Sequence, residues 1–181
     1  ALVDAEAFLP WVNAAWNAHC QGTLYVRSIF LYLDRTYVIQ TAGTKSIWDL
    51  ALAQFRELVL GDDELAQKLV QGLLALIERE RTAEAVDRTL LKNLLRMLSA
   101  LGVYSSLFER RFLDATASFY AREAAARLQR DELPEYLAHA EARLHEEAER
   151  VQLYLEAGTR RPLVAAVERE LLGAHVPALL D

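Results

Sequence analysis

Between Leu133 and Leu155 an apolar residue recurs at the spacing of an α-helix. Successive apolar positions are separated by about 3.7 residues on average, close to the ~3.6 residues of one helical turn. The stripe consists of Leu133, Leu137, Ala140, Leu144, Ala148, Val151 and Leu155. A helix of this kind is stable when another element covers its stripe, so the segment predicts a domain built by packing helix on helix.

The composition extends this prediction to the rest of the chain. The sequence has 181 residues, in which Leu (33) and Ala (29) dominate, whereas Val, Ile and Thr together number 24 and Gly and Pro together number 11. Leu and Ala favour helices, and β-branched residues favour strands. We therefore expect an all-α protein.

Capping residues, glycines and prolines divide the chain into about nine predicted helices. Gly22 separates the first two, Ser46 caps the third, Asp62 or Asp63 caps the fourth, and Thr159 caps the eighth. The predicted helices span residues 4–19, 23–40, 47–60, 63–81, 86–101, 106–130, 132–156 and 161–172, followed by a short piece between Gly173 and Pro177.

No set of side chains in the sequence has the spacing of a catalytic or metal site. His19 and Cys20 are neighbours, and adjacent residues of a helix point about 100° apart, so we expect a packed pair. His139 and His145 do not form the paired-histidine motif of a helical zinc site. A G-x-S-x-G nucleophile motif is also missing from the sequence. The chain is therefore not expected to be an enzyme or to hold a cofactor or a metal.

Pairs of carboxylates occur on helices that are rich in charge. Glu146 and Glu147 form one such pair, and Glu78 and Glu80 form another. We expect both pairs on solvated helical faces, where nothing apolar raises a carboxyl pKa for general acid catalysis. The same reasoning places Arg150 on the solvated face as an i,i+4 partner of Glu146.

Charge and cysteine content limit the expected partners and compartment. A formal net charge of -6 argues against a nucleic-acid-binding surface. The longest uncharged stretch, residues 8–26, contains proline, asparagine, histidine and glutamine, so we expect no membrane span. A single cysteine excludes an internal disulfide framework and fits an intracellular protein.

The predicted helix 23–40 carries an apolar arc of about 160° on a helical wheel, wider than one packing contact requires. One edge of this arc mixes aromatic rings with a hydroxyl and a guanidinium: Tyr25, Ser28, Tyr32, Arg35 and Ile39. Tyr and Arg among apolar neighbours are enriched in protein interfaces. The edge therefore favours a binding surface, and the alternative is that its tyrosines lie at the rim of the helical bundle.

A four-residue motif occurs twice in the chain. Leu31-Tyr-Leu-Asp34 recurs 122 residues later as Leu153-Tyr-Leu-Glu156, each time near the end of a predicted helix. Such a period is too long for the usual two-helix solenoid repeats. It suits a repeat of five helices.

Two groups of motifs are more specific. The first is Trp16-x-x-His19-Cys20 followed by Arg27-Ser-Ile-Phe-Leu-Tyr-Leu-Asp-Arg-Thr-Tyr-Val38. The second comprises Ile47-Trp-Asp-Leu50, Phe55-Arg56, Gly72-Leu-Leu74, Leu76-Ile-Glu-Arg-Glu-Arg81, Val86-Asp-Arg88, Met97-Leu-Ser99, Phe108-Glu109, Phe112-Leu113, Phe119-Tyr120, Pro134-Glu-Tyr-Leu137 and Arg143-Leu144. The first group resembles the end of the first repeat of the cullin family, the scaffold subunits of multi-subunit ubiquitin ligases. The second group resembles the second cullin repeat.

The resemblance implies an all-α fold of five-helix cullin repeats stacked into an elongated stalk. It assigns residues 1–42 to the C-terminal part of the first repeat, residues 43–158 to the second repeat and residues 159–181 to the start of the third. It also implies a stalk fragment, because the earlier helices of the first repeat and the C-terminal domain that holds the RING-box protein have no counterpart in this sequence.

The resemblance further implies a function. Such a chain is expected to be a non-catalytic scaffold of the cytoplasm and nucleus, linking a substrate-receptor adaptor to a distal RING module. The motifs Arg27-Ser-Ile-Phe30, Ile47-Trp-Asp49 and Leu171-Leu-Gly173 with His175 are most similar to type-four cullins, which use a damaged-DNA-binding β-propeller adaptor. The alternative is a subunit of a membrane-tethering or trafficking complex, since these are also built from helical rods.

A candidate site follows from the same resemblance. On the family pattern, Tyr32 and Arg35 belong to the adaptor-facing side of the fifth helix of the first repeat. Both lie on the mixed edge described above. The expected adaptor-binding residues are therefore Tyr25, Ser28, Tyr32 and Arg35.

Overall fold

The computed structural model describes residues 2–175, which are helical apart from short connections. The α-helices in this range are α1 (Leu2–Ile29), α2 (Val38–Gln40), α3 (Ile47–Phe55), α4 (Asp63–Arg81), α5 (Arg88–Ala100), α6 (Arg110–Leu128), α7 (Leu133–Leu153) and α8 (Arg160–Leu171). Between or beyond them lie three π-helical turns, Leu33–Tyr37, Arg56–Leu60 and Tyr104–Glu109, and two 3-10 turns, Ala157–Thr159 and Gly173–His175. No strand occurs among the described residues, which confirms the all-α prediction. The end of the last predicted piece, from residue 176 onward, lies outside the described residues.

The first compact unit, residues 1–104, is built around α1. This helix packs against α3, α4 and α5. Apolar side chains with almost no exposure form the shared core, among them Leu9, Val12, Leu69, Leu73, Ile77, Leu91, Leu94, Leu95 and Met97. Trp16 also contacts Phe55 edge-to-face, with the ring centroids 5.0 Å apart. The long first helix is thus held along its length by three shorter ones.

The helix does not break at Gly22, so the prediction of separate helices over 4–19 and 23–40 is wrong. Backbone hydrogen bonds of 3.0 Å from Phe30 to Val26 and from Asp34 to Phe30 carry the helical path beyond Ile29 into the π-helical turn. A glycine inside a helix costs about 0.5–1 kcal/mol relative to alanine. The packing of α1 against α3 and α4 outweighs this cost.

Local sequence signals predicted the next helix starts correctly. Ser46 Oγ accepts a hydrogen bond from the Asp49 N–H at 3.0 Å and caps α3. Asp62 Oδ1 accepts one from the Glu64 N–H at 2.9 Å and caps α4. Between these helices, a Cβ on Gly61 would overlap the backbone oxygen of Glu57, so only glycine fits this connection without a shift of the backbone.

The second compact unit, residues 105–181, is formed by α6, α7 and α8. Helix α8 packs against both α6 and α7. The rings of Phe108 and Phe112 stack with centroids 5.4 Å apart, and both are fully buried. Tyr136 donates a hydrogen bond of 2.5 Å to the carbonyl oxygen of Leu171, and burial followed by the nearby Glu123 raises the pKa of its phenol. The largest fully buried side chains of this core are therefore aromatic.

Thr159 precedes α8 as predicted but does not cap it through its side chain. Its hydroxyl instead donates a hydrogen bond of 2.7 Å to Glu109 Oε1. Thr159 is fully buried, so its polar group requires a partner. A contact between residues 50 positions apart has replaced the local contact expected from the sequence.

Helix α7 buries only part of the face that its apolar stripe predicted. Leu133 and Leu137 are 44% and 45% exposed, whereas Ala140 and Val151 are buried. The other buried positions of the helix are Tyr136, Glu147 and Arg150. The buried face thus includes a phenol and an ion pair, which the periodicity of apolar residues does not detect.

Glu147 is fully buried, so the prediction that it lies on a solvated face is wrong. Its Oε1 accepts a hydrogen bond of 2.6 Å from the Tyr120 hydroxyl and one of 2.5 Å from Arg150 Nη1. Arg150 is itself only 6% exposed. A carboxylate without contact to water is tolerated here because a phenol and a guanidinium replace the water.

Glu80 is also buried, contrary to the prediction, whereas Glu78 is exposed as predicted. Arg88 Nε donates a hydrogen bond of 2.5 Å to Glu80 Oε1. Arg88 is the first residue of α5, so the pair joins the end of α4 to the start of the next helix. Each buried glutamate therefore forms an ion pair with an arginine on a neighbouring turn or helix.

The two copies of the four-residue motif lie in different environments. Tyr32 is 82% exposed and Tyr154 is 5% exposed, while Asp34 is buried and Glu156 is exposed. The helix continues through the first copy, but α7 ends at Leu153. The recurrence therefore lends no structural support to a five-helix repeat. The repeat boundaries remain a prediction from the resemblance, and the two compact units divide after Tyr104, inside the range 43–158.

Candidate functional site

The predicted edge faces solvent on α1 and the π-helical turn that follows it. Tyr25 is 63% exposed and Tyr32 is 82% exposed, and Ser28 and Arg35 are exposed as well. The two tyrosines are seven residues apart, which separates them by about 10 Å along the helix axis. The side chain of Ile39 lies outside the described part of the structure. Exposure of this size favours the binding surface over the rim of a bundle, because a rim tyrosine buries much of its ring.

Hydrogen bonds hold two of the four side chains along the helix surface. Gln21 Nε2 donates to the Tyr25 hydroxyl at 2.9 Å, and Ser28 Oγ donates to the carbonyl oxygen of Leu24 at 2.8 Å. The Ser28 hydroxyl has thereby used its one proton and keeps only acceptor capacity. Tyr32 and Arg35 are consequently better placed than Ser28 to donate hydrogen bonds to a partner.

Arg35 lies in the π-helical turn Leu33–Tyr37 and not in an ordinary α-helix. A π turn closes its backbone hydrogen bonds over one residue more than an α turn, so the side chains after it are rotated relative to an α-helical wheel. Single π turns within helices are frequent at functional sites. The position of Arg35 relative to Tyr32 is therefore set by this turn.

Large apolar side chains surround the edge, and they are exposed too. Besides the two tyrosines they are Leu24, Val26, Ile29, Phe30, Leu31, Leu33 and Tyr37, and we call residues 24–37 the exposed apolar segment. Ile29 alone is 77% exposed. A helix that is apolar on most of its sides is normally covered, and large apolar patches mark interaction surfaces. The segment thus has the composition and the exposure of a binding surface.

Asp34 is the only acidic residue of the exposed apolar segment, and it is buried. Its Oδ1 accepts a hydrogen bond from the Ile47 N–H at 2.9 Å, and its Oδ2 accepts one from Arg27 Nε at 2.8 Å. The Ile47 bond, followed by the Arg27 bond, holds the pKa of the Asp34 carboxyl below its ordinary value against the opposing effect of burial. Since Ile47 begins α3, Asp34 fixes the exposed apolar segment to the next helix.

This role of Asp34 and Arg27 was not predicted from the sequence. The available signal was a single carboxylate within an otherwise apolar arc. Such a group must be paired if the arc is buried. Its backbone partner lies 13 residues away across a connection, which spacing along one helix cannot identify.

A groove of about 520 Å³ lies between α1 and α3, next to the exposed apolar segment. Val26 and Leu50 line it, and Leu50 is 52% exposed. His19 also lines the groove, with Nε2 2.9 Å from the carbonyl oxygen of Ala51 and its ring 5.2 Å from that of Phe55. His19 is therefore packed, as expected, and the groove extends the apolar surface onto α3.

In the described part of the chain, no group of three His, Cys, Asp or Glu side chains is arranged to hold a metal ion. Burial raises the pKa of the Cys20 thiol. Within residues 2–175, we find no helix with both the length and the apolar character that crossing a bilayer requires.

Comparison with known proteins agrees with the resemblance seen in the motifs. Residues 1–181 match the cullin family, described as the cullin alpha solenoid domain. The chain is 48% identical over 179 residues to Cullin-4A of Homo sapiens and to Cullin-4A of Mus musculus, covering 99% of this chain and 24% of each relative. It is 40% identical over 179 residues to Cullin-4 of Dictyostelium discoideum, covering 98% of this chain and 22% of that relative.

A relative of another type is less similar. The chain is 39% identical over 176 residues to Cullin-3B of Arabidopsis thaliana, covering 96% of this chain and 24% of that relative. The chain spans about a quarter of the length of the Cullin-4A proteins that it matches. Because the family match covers every residue, the chain belongs to the cullin family.

Proposed function

We propose that this chain is the part of a cullin-RING ubiquitin ligase scaffold that binds a substrate-receptor adaptor. The observation that carries the proposal is the solvent exposure of Tyr25 and Tyr32 on a helical segment fixed by Asp34. Interface hot spots are enriched in Tyr and Arg surrounded by apolar neighbours. In this proposal Tyr32 supplies the ring that becomes buried, and Arg35 a charge-assisted hydrogen bond at its margin.

The scaffold role requires a stiff chain, and packed helices provide stiffness. In each compact unit, long helices pack over apolar cores, with α1 of 28 residues and α7 of 21. We assign residues 1–42, 43–158 and 159–181 to successive cullin repeats. The chain itself performs no catalysis in this proposal, and the RING-box protein binds to another part of the scaffold.

Similarity to particular relatives supports a proposal for the adaptor class. Cullin-4A and Cullin-4 share 48% and 40% identity with the chain. We infer that the adaptor is the β-propeller type that the type-four resemblance implies, acting in the cytoplasm and nucleus. The alternative of a membrane-tethering or trafficking subunit has no support from the family match.

The test is adaptor affinity measured for the chain and for the full product of its gene. Truncation of Tyr32 or Arg35 to alanine should each weaken binding by about 2 kcal/mol, as expected for central interface residues. The matched control combines Leu58→Ala with Arg96→Ala, which removes an exposed apolar side chain and an exposed arginine from other surfaces of the same unit. Its affinity should equal that of the wild type.

Helical circular dichroism separates binding from folding. The Tyr32→Ala and Arg35→Ala variants should keep the wild-type signal, because both side chains are exposed. Equal affinity of the wild type, the double variant and the control would contradict the proposal. Lost helicity in the double variant would assign Tyr32 to the folded core instead.

A further inference from the structure

Four arginines of the second compact unit lack a side-chain partner. They are Arg110, Arg111, Arg160 and Arg161, and all four are exposed. Within the part of the chain that the structure describes, their guanidinium groups form no hydrogen bond and no ion pair. Every other arginine of this unit donates to an oxygen atom of another residue. Carboxylates outnumber arginines in residues 105–181, so a shortage of acidic side chains does not explain the four unpaired ones.

The four arginines lie where two neighbouring helices begin. Residues 110–111 are the first two of α6, and residues 160–161 are the first two of α8. Thr159 Oγ1 donates a hydrogen bond of 2.7 Å to Glu109 Oε1, which holds the two helix starts together. Helices α6 and α8 also pack against each other. Since each pair of arginines directly follows one member of this hydrogen bond, we call the four side chains the arginine patch.

The start of α8 offers the arginine patch no compensating negative charge. The first turn of this helix holds no acidic residue, and Thr159 does not cap it through its side chain. The start of a helix carries a partial positive charge, which disfavours a cation and favours an anion. The guanidiniums and the helix start therefore act in the same direction, and both attract a negatively charged group.

A groove of about 610 Å³ runs along α8 from the arginine patch. Its described lining consists of Ala157, Arg160, Arg161, Val164, Ala165 and Glu168. Guanidinium groups thus lie beside small and apolar side chains in the same groove. A ligand that matches this lining carries acidic groups next to an apolar one.

We propose that the arginine patch binds a short acidic segment of a partner protein. Glutamate or aspartate side chains of that segment accept paired hydrogen bonds from the guanidiniums, because the planar fork of arginine matches the two oxygens of a carboxylate. An apolar side chain between them packs against Val164 in the groove. The inference is independent of the proposed adaptor surface, which belongs to the first compact unit.

A protein segment fits the arginine patch better than a nucleic acid does. A DNA duplex carries one negative charge per about 1.7 Å of its axis, so its phosphates extend past the four arginines. The chain has a formal net charge of -6, and Glu168 lines the groove. A long polyanion therefore meets repulsion beyond the patch, whereas a short segment contacts the patch alone.

Fluorescence anisotropy with the whole chain measures this binding. The probe is a labelled peptide in which pairs of glutamates alternate with leucine, and the matched peptide carries glutamine in place of glutamate. The glutamate peptide should bind, and the glutamine peptide should not. Arg160→Ala combined with Arg161→Ala should weaken binding by about tenfold or more, because charge-assisted hydrogen bonds are lost. Replacing the same two residues by lysine should weaken binding less, since lysine keeps the charge without the fork.

The matched control removes two exposed arginines of the first unit through Arg56→Ala with Arg96→Ala, and it should bind the peptide as the wild type does. Helical circular dichroism should be the same for all variants, because every replaced side chain is exposed. A second patch variant, Arg110→Ala with Arg111→Ala, takes the place of the first if the first loses helicity.

Two kinds of result would overturn the proposal. The first is equal peptide affinity of the wild type and the patch variants, or an equal loss in the control, since either would separate binding from the arginine patch. The second is a short DNA duplex that binds more tightly than the glutamate peptide with the same dependence on the patch. That result would assign the surface to nucleic acid.

Discussion

Asp34 accepts a hydrogen bond of 2.9 Å from the backbone N–H of Ile47, the first residue of the next long helix. The same carboxylate accepts a hydrogen bond of 2.8 Å from Arg27, which lies seven residues earlier in the chain, or about two helical turns. One buried side chain therefore joins two helices and a guanidinium. The exposed apolar segment depends on this carboxylate for its position.

Replacing Asp34 by Asn tests this role through pH. The pKa of Asp34 lies below its ordinary value of 3.8, first because of Ile47 and then because of Arg27. A lowered folded-state pKa stabilises the protein above the unfolded-state pKa, and this stability is lost as pH falls through the folded-state value. Urea unfolding should show Asp34→Asn less stable at neutral pH, with a difference that shrinks below pH 3.8. The exposed Asp114→Asn serves as control, and a difference that is constant with pH would refute the role.

The buried pair of Glu147 and Arg150 predicts a non-additive pattern. Glu147→Leu leaves the Arg150 charge buried without this partner and should cost about 3–5 kcal/mol of unfolding free energy. Replacing both residues by apolar ones removes both charges, so the double variant should be more stable than the single one. Denaturant midpoints check this, and equal losses in the single and double variants would show that burial of the charge is not what matters.

Core truncations in the second unit should follow burial and not the apolar stripe. Phe112 is fully buried against Phe108, so Phe112→Ala should cost about 3–5 kcal/mol. Leu144 is half-buried, so Leu144→Ala should lower the unfolding free energy by less. Leu133 is 44% exposed, so Leu133→Ala should change the unfolding free energy by about 0.5 kcal/mol or less. Thermal or urea unfolding of the three variants should reproduce this order.

Replacing glycine by alanine should have opposite effects on stability at Gly22 and at Gly61. A Cβ at Gly22 meets nothing within 4 Å, so Gly22→Ala should stabilise α1 by about 0.5–1 kcal/mol. At Gly61 a Cβ would overlap the Glu57 carbonyl oxygen, so Gly61→Ala should destabilise the protein. Shifts of the same sign for both variants would contradict this interpretation of their surroundings.

Salt separates the two proposed anchors of the adaptor. Arg35 acts through charge, so the affinity lost on Arg35→Ala should decrease as ionic strength rises. The reason is that the Debye length falls to about 3 Å at 1 M salt. Tyr32 acts through burial of its ring, so the loss on Tyr32→Ala should persist. Adaptor binding at low and high salt checks both. Ser28→Ala should have a smaller effect than either, because its hydroxyl already donates to Leu24.

Most of the fold followed from local chemistry. Caps at Ser46 and Asp62 and the abundance of Leu and Ala predicted the helices and most of their ends. The error at Gly22 arose because glycine costs a helix only about 1 kcal/mol, which is less than the stabilisation that a long helix gains from packing. Contacts between distant residues decided that case.

The buried polar contacts were not predictable from spacing. Glu147 looked like one member of a charged helical face, and its partner Tyr120 lies 27 residues away on another helix. Thr159 and Glu109 are likewise distant in sequence. The candidate edge was predictable because Tyr25, Ser28 and Tyr32 share one stretch of helix, where the wheel applies, whereas the π turn around Arg35 was not.

The exposed apolar segment also bears on how the protein is maintained in a cell. Chaperones and proteases recognise uncovered apolar side chains, so we expect a molecule with Ile29 and Tyr32 in contact with water to be a substrate for quality control. A bound partner would hide these side chains and lengthen the half-life of the protein. The abundance of the scaffold would then follow that of its partner, a dependence that pulse-chase measurements with and without co-expressed adaptor would detect.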